Sequence, residues 1–446
     1  MICVVNIYRF IDMSKKIVLL CTILGLTLMS FAQEQSMRFS LEDCLKYAEE
    51  HNYTLQNAKL DQSVSEINYK QAKLQMSPTV SASASQGFAY SHNSVNGGAD
   101  WTGNYGLSAG ITLFNGLNTF NTIKQRKLDI TQSSLLFEQQ KNQLNIQIVQ
   151  AFLNILMNEE LSVYQKEVIT KSREQMQQGY QRYKVGQILE SDYMLLEAQY
   201  VSDSANYENT LLNLNNNYIT LKALLAISPS THIDIQKPDT ASMLKNLMIP
   251  SLQEVVDKAF DYLPELKYSQ NRIERANYDV KIAQSSYYPS LNLNAGVSTG
   301  YASGNGNFGT QLGNRLGENV GLSLNIPIYN QNRARASVKM AKIGVQQAEN
   351  DLQEKQINIM QDLEKYYISV NEAENDYRVA AIREKAYAAN FSAYNMKFMY
   401  GSITAADLLT QQNNYLQALN TYMQNKYSFV LQRKILDIVM GVPVTL

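Results

Sequence analysis

The stretch YKVGQILESDYMLLEAQY at residues 183–200 recurs in altered form as FMYGSITAADLLTQQNNY at residues 398–415, a shift of 215 positions. Gly186 and Gly401 occupy the same place in the two copies, and each follows a long segment without proline. Glycine permits the sharp reversal of the backbone with which many helices end. The two copies therefore predict two helical hairpins, each turning at its glycine.

The hairpins belong to a duplication that extends along the chain. Ser40 corresponds to Ser251 and Pro78 to Pro289, in both cases 211 positions apart. Because the shift is 215 at the hairpins, the second copy gains four residues after Pro289. An internal repeat of this length indicates two copies of one structural unit, each predicted to contain helix, strand, loop, strand and a long helical hairpin. We assign the first unit to residues 33–250 and the second to residues 251–446.

Each unit contains two segments in which apolar residues alternate with small or polar residues. Val320, Leu322 and Leu324, for example, are separated by glycine and serine. Period-2 segments of about ten residues match tilted membrane strands, with lipid on the apolar side and water on the other. A half-buried sheet of a soluble protein is the alternative. Strands are predicted at about 79–92, 103–114, 290–301 and 318–328, with Gly/Asn-rich loops at 91–103 and 300–317.

The helices are predicted to be long and to pack as coiled coils. Proline is absent from residues 79–228 and 328–442, and a helical pattern runs from about residue 117 to 185, which is roughly 100 Å of helix. Seven-residue spacing of apolar and aromatic residues indicates a coiled-coil seam, so these aromatic side chains are expected to pack and not to bind a ligand. The spaced residues are Tyr193, Tyr200, Tyr207, Leu214 and Leu221, then Leu408, Tyr415, Tyr422, Phe429 and Leu436.

The first 32 residues are interpreted as a signal peptide, with Met13 as the expected start of translation. Lys15 and Lys16 precede an apolar run that ends near Ala32, where small residues suit cleavage. The run has about 15 residues, fewer than the roughly 20 of a spanning helix. A retained anchor helix is the less favoured alternative. Only Cys44 remains after cleavage, which excludes an intrachain disulfide.

Four strands cannot close a membrane barrel, since the smallest barrels need about eight. An open sheet edge is not tolerated in lipid, so several chains must share one barrel. Three chains in a closed ring supply twelve strands, enough for a lumen, and six helical hairpins. The expected fold is therefore mainly α with a membrane β-barrel part: coiled-coil hairpins form a trimeric α-barrel that continues into a 12-stranded β-barrel.

Composition argues against several other functions. The net charge of −1 predicts no nucleic-acid partner. His51, His92 and His232 lie far apart, and no spacing typical of metal ligands or of a nucleophile with its base is present. We therefore expect no enzymatic activity, no catalytic residues, no metal site and no cofactor.

The order and repetition of several short motifs resemble the outer membrane factor family, typified by TolC. These motifs are Leu113-Phe114-Asn115-Gly116, Pro327-Ile328-Tyr329-Asn330-Gln331, Tyr183-Lys184-Val185-Gly186 followed by Asp192, and Tyr400-Gly401 followed by Asp407. The resemblance implies a homotrimer in the lipid of the outer membrane, with its helices in the periplasm. It also implies a passive duct in an efflux or type I secretion system, fed by a periplasmic adaptor and an inner-membrane transporter. A secreted or periplasmic fibrous coiled-coil protein without a pore is the alternative, and drugs, metal ions and polypeptides all stay open as cargo.

The resemblance places a pore constriction at Asp192 and Asp407, each six residues after its turn glycine. Three chains then arrange six carboxylates around one mouth, where crowding is expected to raise their pKa values. A simple role as helix caps is the alternative. This sequence departs from its relatives at Phe398 and Ile403, where they have a tyrosine and an arginine in closing contacts, and at Thr410, which replaces a second acidic ring.

Two further expectations concern the hairpin ends. The latch that holds the tunnel closed is expected to use Arg182, Lys184 or Lys397 reaching a carboxylate. The hairpin tips are expected to lie farthest from the barrel and to contact the adaptor, although the glycines there could serve only as turn formers. The predicted adaptor contacts are Val185, Gly186, Gln187, Tyr400, Gly401 and Ser402.

Overall fold

The structure is a computed structural model that describes residues 37–91, 98–238, 248–303 and 307–445. The predicted signal peptide and the start at Met13 lie outside the described residues. No helix within the described ranges combines the length and the apolar character needed to cross a bilayer.

The first repeat begins with two short helices and continues through two strands into a long hairpin. The hairpin helices contain 67 and 35 residues, about 100 Å and 52 Å. The elements are β1 (Met37–Phe39), α1 (Leu41–His51), α2 (Tyr53–Leu74), β2 (Thr79–Ser91), β3 (Gly98–Asn115), α3 (Asn118–Lys184), α4 (Glu190–Leu224) and β4 (Ile233–Ile235).

The second repeat follows the same plan, and its hairpin helices again contain 67 and 35 residues. Its elements are α5 (Leu252–Tyr262), α6 (Pro264–Gln284), β5 (Ser290–Ala302), α7 (Phe308–Asn314), β6 (Gly317–Asn325), α8 (Arg333–Met399) and α9 (Ala405–Val439).

Two helices stand at the start of each repeat, where the sequence pattern predicted one. In the first repeat Asn52 ends α1, and its side chain caps α2 by accepting hydrogen bonds from the backbone N–H groups of Thr54 and Leu55. In the second repeat Pro264 is the first residue of α6. Proline has no N–H to donate, so it cannot continue the preceding helix. Each break separates a short helix, α1 or α5, that packs against the long helix of its own repeat.

The four long strands form one antiparallel sheet in the order β2-β3-β5-β6. Strand pairing aligns apolar residues in rows on one face and small or polar residues on the other. One apolar row contains Val80, Ala109, Ala295 and Val320, and the adjacent row on the opposite face contains Ser81, Ser108, Gly296 and Asn319. The period-2 pattern thus produces a two-faced sheet whose outer strands, β2 and β6, are edges within a single chain.

The strands differ from the prediction in two bounds and in one register shift. β6 ends at Asn325 and not at residue 328, because Pro327 cannot donate a ladder hydrogen bond. β3 begins at Gly98, since its pairing with β2 continues through residues that were predicted to form a loop. A register shift between Thr112 and Phe114 sets Phe114 opposite Leu291, so the predicted alternation stops before Leu113.

The segment 300–317 contains a short helix, α7, where only a loop was predicted. Asn307 caps this helix by accepting a hydrogen bond from the N–H of Gly309. The Gln311 side chain exchanges two hydrogen bonds with the backbone of Ala302, at 2.9 and 3.0 Å. The glutamine therefore takes the place of a neighbouring strand at the end of β5, a long-range contact that local composition does not encode.

Each repeat has its own hydrophobic core where the short helices meet the long ones. Equivalent positions are buried in both cores, which is the physical counterpart of the duplication. Burying each aliphatic side chain stabilises the fold by about 1.5–3 kcal/mol. The first core includes Cys44, Ala48, Ile148, Ile155 and Leu221, and the second includes Val255, Ala259, Leu363, Val370 and Leu436.

The seam of the first hairpin includes a polar layer. Asp203 of α4 is 4% exposed, and its two oxygens accept hydrogen bonds from Gln199 at 2.8 Å and from Gln412 of α9 at 2.9 Å. Burial raises the pKa of Asp203, although these hydrogen bonds oppose the shift. A buried polar group of this kind favours one register of the packed helices, since a slip would leave it without partners.

Candidate functional site

The two hairpin tips of one chain lie side by side and enclose a cleft of about 920 Å³. The cleft is lined by segments 182–192 and 398–407, which include both turns. Asp192 and Asp407, which are 215 positions apart in sequence, face this same cleft. The fold therefore brings the two predicted constriction carboxylates together within each protomer.

The turns are built alike around their glycines. Gly186 and Gly401 have φ angles of +73° and +74°, the left-handed region that side chains disfavour. The N–H of Gln187 donates to the carbonyl of Arg182 at 2.8 Å, and the N–H of Ser402 donates to that of Lys397 at 2.9 Å. These hydrogen bonds close each helix in a Schellman motif. A side chain at either glycine would meet no atom within 4 Å. In the single chain, glycine is therefore required by the left-handed backbone conformation and not by a lack of room for a side chain.

Asp407 is held by its own helix. Its carboxylate accepts hydrogen bonds from the hydroxyl of Thr404 at 2.7 Å and from the Thr404 N–H at 3.2 Å. The Thr404 hydroxyl in turn accepts from the Asp407 N–H, which completes a capping box at the start of α9. These hydrogen bonds lower the pKa of Asp407, opposite to the rise expected from crowded carboxylates. Helix capping thus explains the presence of an aspartate at position 407 within one chain. Thr404 is the N-cap residue, and Asp407 is the third residue of the helix, which completes the capping box.

Asp192 occupies the equivalent position without this support. Leu189 stands where the second repeat has Thr404, and a leucine side chain cannot cap α4. Within the described part of the chain, no hydrogen bond to the Asp192 carboxylate is found. The two carboxylates are therefore chemically distinct, since Asp407 is bound by its own backbone and Asp192 stays available to other groups.

The basic residues near the tips make contacts other than the expected latch. Arg182 donates to the carbonyl of Phe398 at 2.8 Å and to that of Met399, and its guanidinium lies 5.2 Å from the ring centre of Phe398. Lys184 and Lys397 lie over tyrosine rings on their own helices. Among the described residues none of the three reaches a carboxylate. Arg182 instead caps the C-terminal end of α8 and joins the two hairpins.

A small hydrophobic cluster lies behind the cleft. Phe398 is fully buried there with Leu196 and Leu408, and Ile403 packs against the same cluster. Phe398 and Ile403, two of the three positions that depart from the resemblance, therefore contribute packing within one chain. An apolar residue at each position cannot make the polar closing contacts that the resemblance describes.

Three large apolar side chains project from the tips into solvent. Val185, Leu189 and Tyr400 are 70–86% exposed. Sequence reasoning included Val185 and Tyr400 among the tip residues but missed Leu189. The available signal was its place at the N-cap of α4, where an apolar residue is strongly disfavoured.

The sequence profile of the outer membrane efflux protein family matches residues 44–226 and 255–442, once for each repeat. The chain belongs to the outer membrane efflux protein family. TolC of Vibrio cholerae is 21% identical over 294 residues, which are 65% of both chains, so this match spans slightly less than two thirds of that protein. TolC of Escherichia coli is 22% identical over 440 residues, which cover 93% of this chain and 84% of the other.

A solved structure agrees with the family assignment. The Campylobacter jejuni CmeC outer membrane channel superposes with a TM-score of 0.77 at 19% identity, over 90% of this chain and 85% of that chain. These findings confirm the predicted family, the mainly helical fold with a β-barrel part, and the outer-membrane location. The relatives named here are outer membrane proteins and channels, which agrees with the predicted class of function.

The capping difference between the repeats gives a matched pair of variants. Thr404→Ala should lower the unfolding free energy by about 1 kcal/mol, the usual cost of removing a threonine cap. Leu189→Thr should raise the unfolding midpoint, because it supplies the cap that α4 lacks. Chemical denaturation of the purified protein measures both effects.

The effect of pH on the Thr404→Ala variant follows from the lowered pKa of Asp407. A carboxylate of this kind stabilises the fold above its unfolded pKa, and the stabilisation is lost as pH falls through the folded pKa. The difference between wild type and Thr404→Ala should therefore narrow below about pH 4. A difference that does not change with pH would contradict the role given to the Asp407 carboxylate.

Proposed function

We propose that this chain is one of three subunits of a passive outer-membrane duct, which receives cargo from a periplasmic adaptor and an inner-membrane transporter and releases it outside the cell. The observation that carries this proposal is the two-faced sheet of four strands, whose outer strands β2 and β6 each have one edge without a partner among the described residues. Unpaired backbone groups cost several kcal/mol each in lipid, so copies of the chain must complete the sheet.

The chemistry of the sheet supports a barrel with lipid outside and water inside. Val320, Leu322 and Leu324 are exposed on one face, and Gly321 and Ser323 alternate with them on the other. Three copies supply twelve strands, which leave room for a lumen lined by the small and polar face. A fibrous coiled-coil protein without a pore has no use for such a sheet.

The same three copies bring six hairpins to a helical tunnel below the barrel. Each subunit contributes Asp192 and Asp407 near its tips, so the proposed constriction contains six carboxylates. An acidic ring attracts cations and repels anions. Because Asp192 has no capping role, it is the carboxylate more free to meet ions or a residue of another subunit.

The tips are the surface that an adaptor can reach in this proposal. Val185 and Tyr400 expose large apolar side chains next to the two turn glycines, Gly186 and Gly401. Exposed apolar groups of this size commonly mark a protein-binding surface. The remaining predicted contacts, Gln187 and Ser402, follow the glycines and supply hydrogen-bonding groups at the same surface.

The lipid face is tested by two matched pairs of lysines in β6. Leu322→Lys with Leu324→Lys places charge toward lipid, at a cost of about 2–4 kcal/mol per residue near the bilayer centre. This variant should disappear from the outer-membrane fraction as a trimer. Gly321→Lys with Ser323→Lys places the same charges toward water, and this control should insert. Equal insertion of both variants would refute the assignment of the two faces.

The constriction is tested by conductance of the purified trimer in planar bilayers. Wild-type channels should favour cations and be blocked by polyvalent cations. Asp192→Ala with Asp407→Ala should weaken both properties because the acidic ring is gone. Glu66→Ala removes an exposed acid of α2, far along the chain from the tips, and should change neither property. Unchanged selectivity in the double variant would move the constriction elsewhere.

Adaptor docking is tested by photo-crosslinking in cells. A crosslinking amino acid at Gln187 or Ser402 should capture the periplasmic adaptor. The same amino acid at Asn307, at the start of α7 near the sheet, should not capture it. Capture from Asn307 alone would mean that the tips face away from the adaptor.

A further inference from the structure

The equivalent helices α2 and α6 have different surroundings. α6 lies between two long helices of its own chain: Arg272 forms an ion pair with Asp351 of α8 at 2.9 Å, and Arg275 forms one with Asp129 of α3 at 2.8 Å. α2 packs extensively, within the described residues, on only one long helix, α3, where Leu55 and Ala58 are buried. One neighbour is therefore missing from α2.

The face of α2 opposite to α3 is an uncovered apolar stripe. It consists of Leu60, Val64, Ile67 and Leu74, each 54–66% exposed. Their spacing of four, three and seven residues places them on one side of the helix. The first repeat thus has an exposed apolar surface where the second repeat has a mostly polar surface that is buried or partly buried.

The duplication identifies the missing neighbour. α6 runs antiparallel to α3, as contacts within it and beside its two ends show: Tyr262 just before α6 with Asn142 at 3.1 Å, Arg275 with Asp129 at 2.8 Å, and Ser285 just after α6 with Asn118 at 2.8 Å. A shift of 215 converts α3 into α8, and a shift of 211 converts α2 into α6. The same arrangement applied to the free face of α2 places it against α8 of another copy.

Gly344 of α8 is the second observation that points to this contact. It corresponds to Asp129 and lies inside a 67-residue helix, where glycine costs about 1 kcal/mol relative to alanine. A side chain there would meet no atom within 4 Å in the single chain, so nothing in the protomer requires glycine. A helix of another chain that approaches closely provides a reason for it.

The residues around Gly344 are exposed although their counterparts in α3 are covered. Met340 is 64% exposed, whereas Gln125, its counterpart, is 6% exposed and donates a hydrogen bond to Asp279 of α6. Ile343 is also exposed. α8 therefore carries an apolar patch at the position where α3 receives α6.

We propose that α2 of one subunit packs against α8 of the neighbouring subunit in the antiparallel register of α6 on α3, with Val64 against Gly344 of the partner subunit. The proposal rests on the ring of three subunits described above. It adds the residues that form the contact between subunits, and it distinguishes this contact chemically from the equivalent contact within a chain. Within a chain, α6 binds α3 through the Arg275–Asp129 ion pair. Between chains, the equivalent positions are valine and glycine, so the contact is apolar and close.

The distinction prevents exchange of the two short helices. If α6 took the place of α2 on α8, Arg275 would face Gly344 and keep only the 3.8 Å contact with Asp279 of its own helix. If α2 took the place of α6 on α3, Val64 would face Asp129, which would keep only Arg126 of its own helix as an ion-pair partner. Each mismatch loses the ion pair between the two helices, which favours one closed arrangement over swapped ones.

Cysteine crosslinking tests the register. Asn68→Cys with Met340→Cys, the counterparts of the hydrogen-bonded Asp279 and Gln125, avoids a side chain at Gly344; treated in cells with a short bismaleimide, it should give covalent trimers, since each subunit supplies one cysteine to each neighbour. Asn68→Cys with Ile382→Cys is the matched control, because Ile382 is exposed on the same helix about 63 Å farther along and should not react. Arg275→Cys with Asp129→Cys should crosslink within one chain and should therefore give no covalent dimers or trimers on a denaturing gel. The native Cys44 is buried, and the single variants control for it.

A size change at Gly344 tests the close approach. Gly344→Leu enters open space in the single chain but clashes in the ring, so the trimer yield should fall roughly tenfold or more. Gln346→Trp adds bulk on the other side of α8, where the counterpart Thr131 is exposed, and should leave the trimer intact. A normal trimer yield of Gly344→Leu would overturn the proposal.

The outcomes separate this inference from the proposed function. Wild-type trimers in the outer membrane without an Asn68–Met340 crosslink would overturn the proposed contact between subunits and leave the duct in place. Absence of wild-type trimers would overturn the duct itself. Crosslinked trimers together with loss of assembly in Gly344→Leu would support both.

Discussion

The backbone hydrogen bonds of β2 and β6 are the constraint on which the rest of the structure depends. Each strand pairs with one neighbour and presents its other edge outward, and no water in the bilayer can satisfy those groups. A single chain cannot roll four strands into a closed barrel. The protein therefore needs copies of itself before its sheet can exist in lipid, and the ring that closes the sheet also fixes where the helices stand.

Duplication supplies the material for such a ring, and small differences between the repeats give each surface its own role. The two cores share a set of equivalent buried positions, since both repeats bury the same short helix on the same part of a long one. The seams and tips are not equivalent. Arg275 in the second repeat corresponds to Val64 in the first, and Thr404 corresponds to Leu189. Shared cores maintain the common fold. The first of these differences distinguishes the helix contact within a chain from the proposed contact between chains, and the second distinguishes Asp407 from Asp192.

Sequence reasoning predicted the features that depend on local backbone geometry. The turn glycines, the long helices and the strand alternation all follow from the periods of the helix and the strand. The break at Pro264 was readable in the same terms but was missed, since the apolar pattern continues across it. The helix α7 and the register shift near Leu113 could not be read, because Gln311 and the neighbouring strand determine them through long-range contacts.

The candidate site shows the same division. The sequence placed Asp192 and Asp407 at equivalent positions, and the fold brings both to one cleft. The capping box of Thr404 with Asp407 was readable from their spacing of three residues but was missed. The contact of Arg182 with the end of α8 could not be read, because it depends on how the two tips meet. The heptad of Tyr193 and its successors was read as the seam. Leu221 of this heptad is fully buried, but Tyr193, Tyr200 and Tyr207 are less buried than Leu196, Asp203 and Thr210, which lie three residues later. Asp203 was missed because a polar residue at a seam is invisible to an apolar pattern.

The most direct test of this account is the native mass of the protein extracted from outer membranes in mild detergent. Three copies of the mature chain in one particle are predicted, because twelve strands close the barrel that four cannot. A single chain, or a stable pair, recovered from the outer membrane would contradict the claim that the sheet is completed by a ring of three.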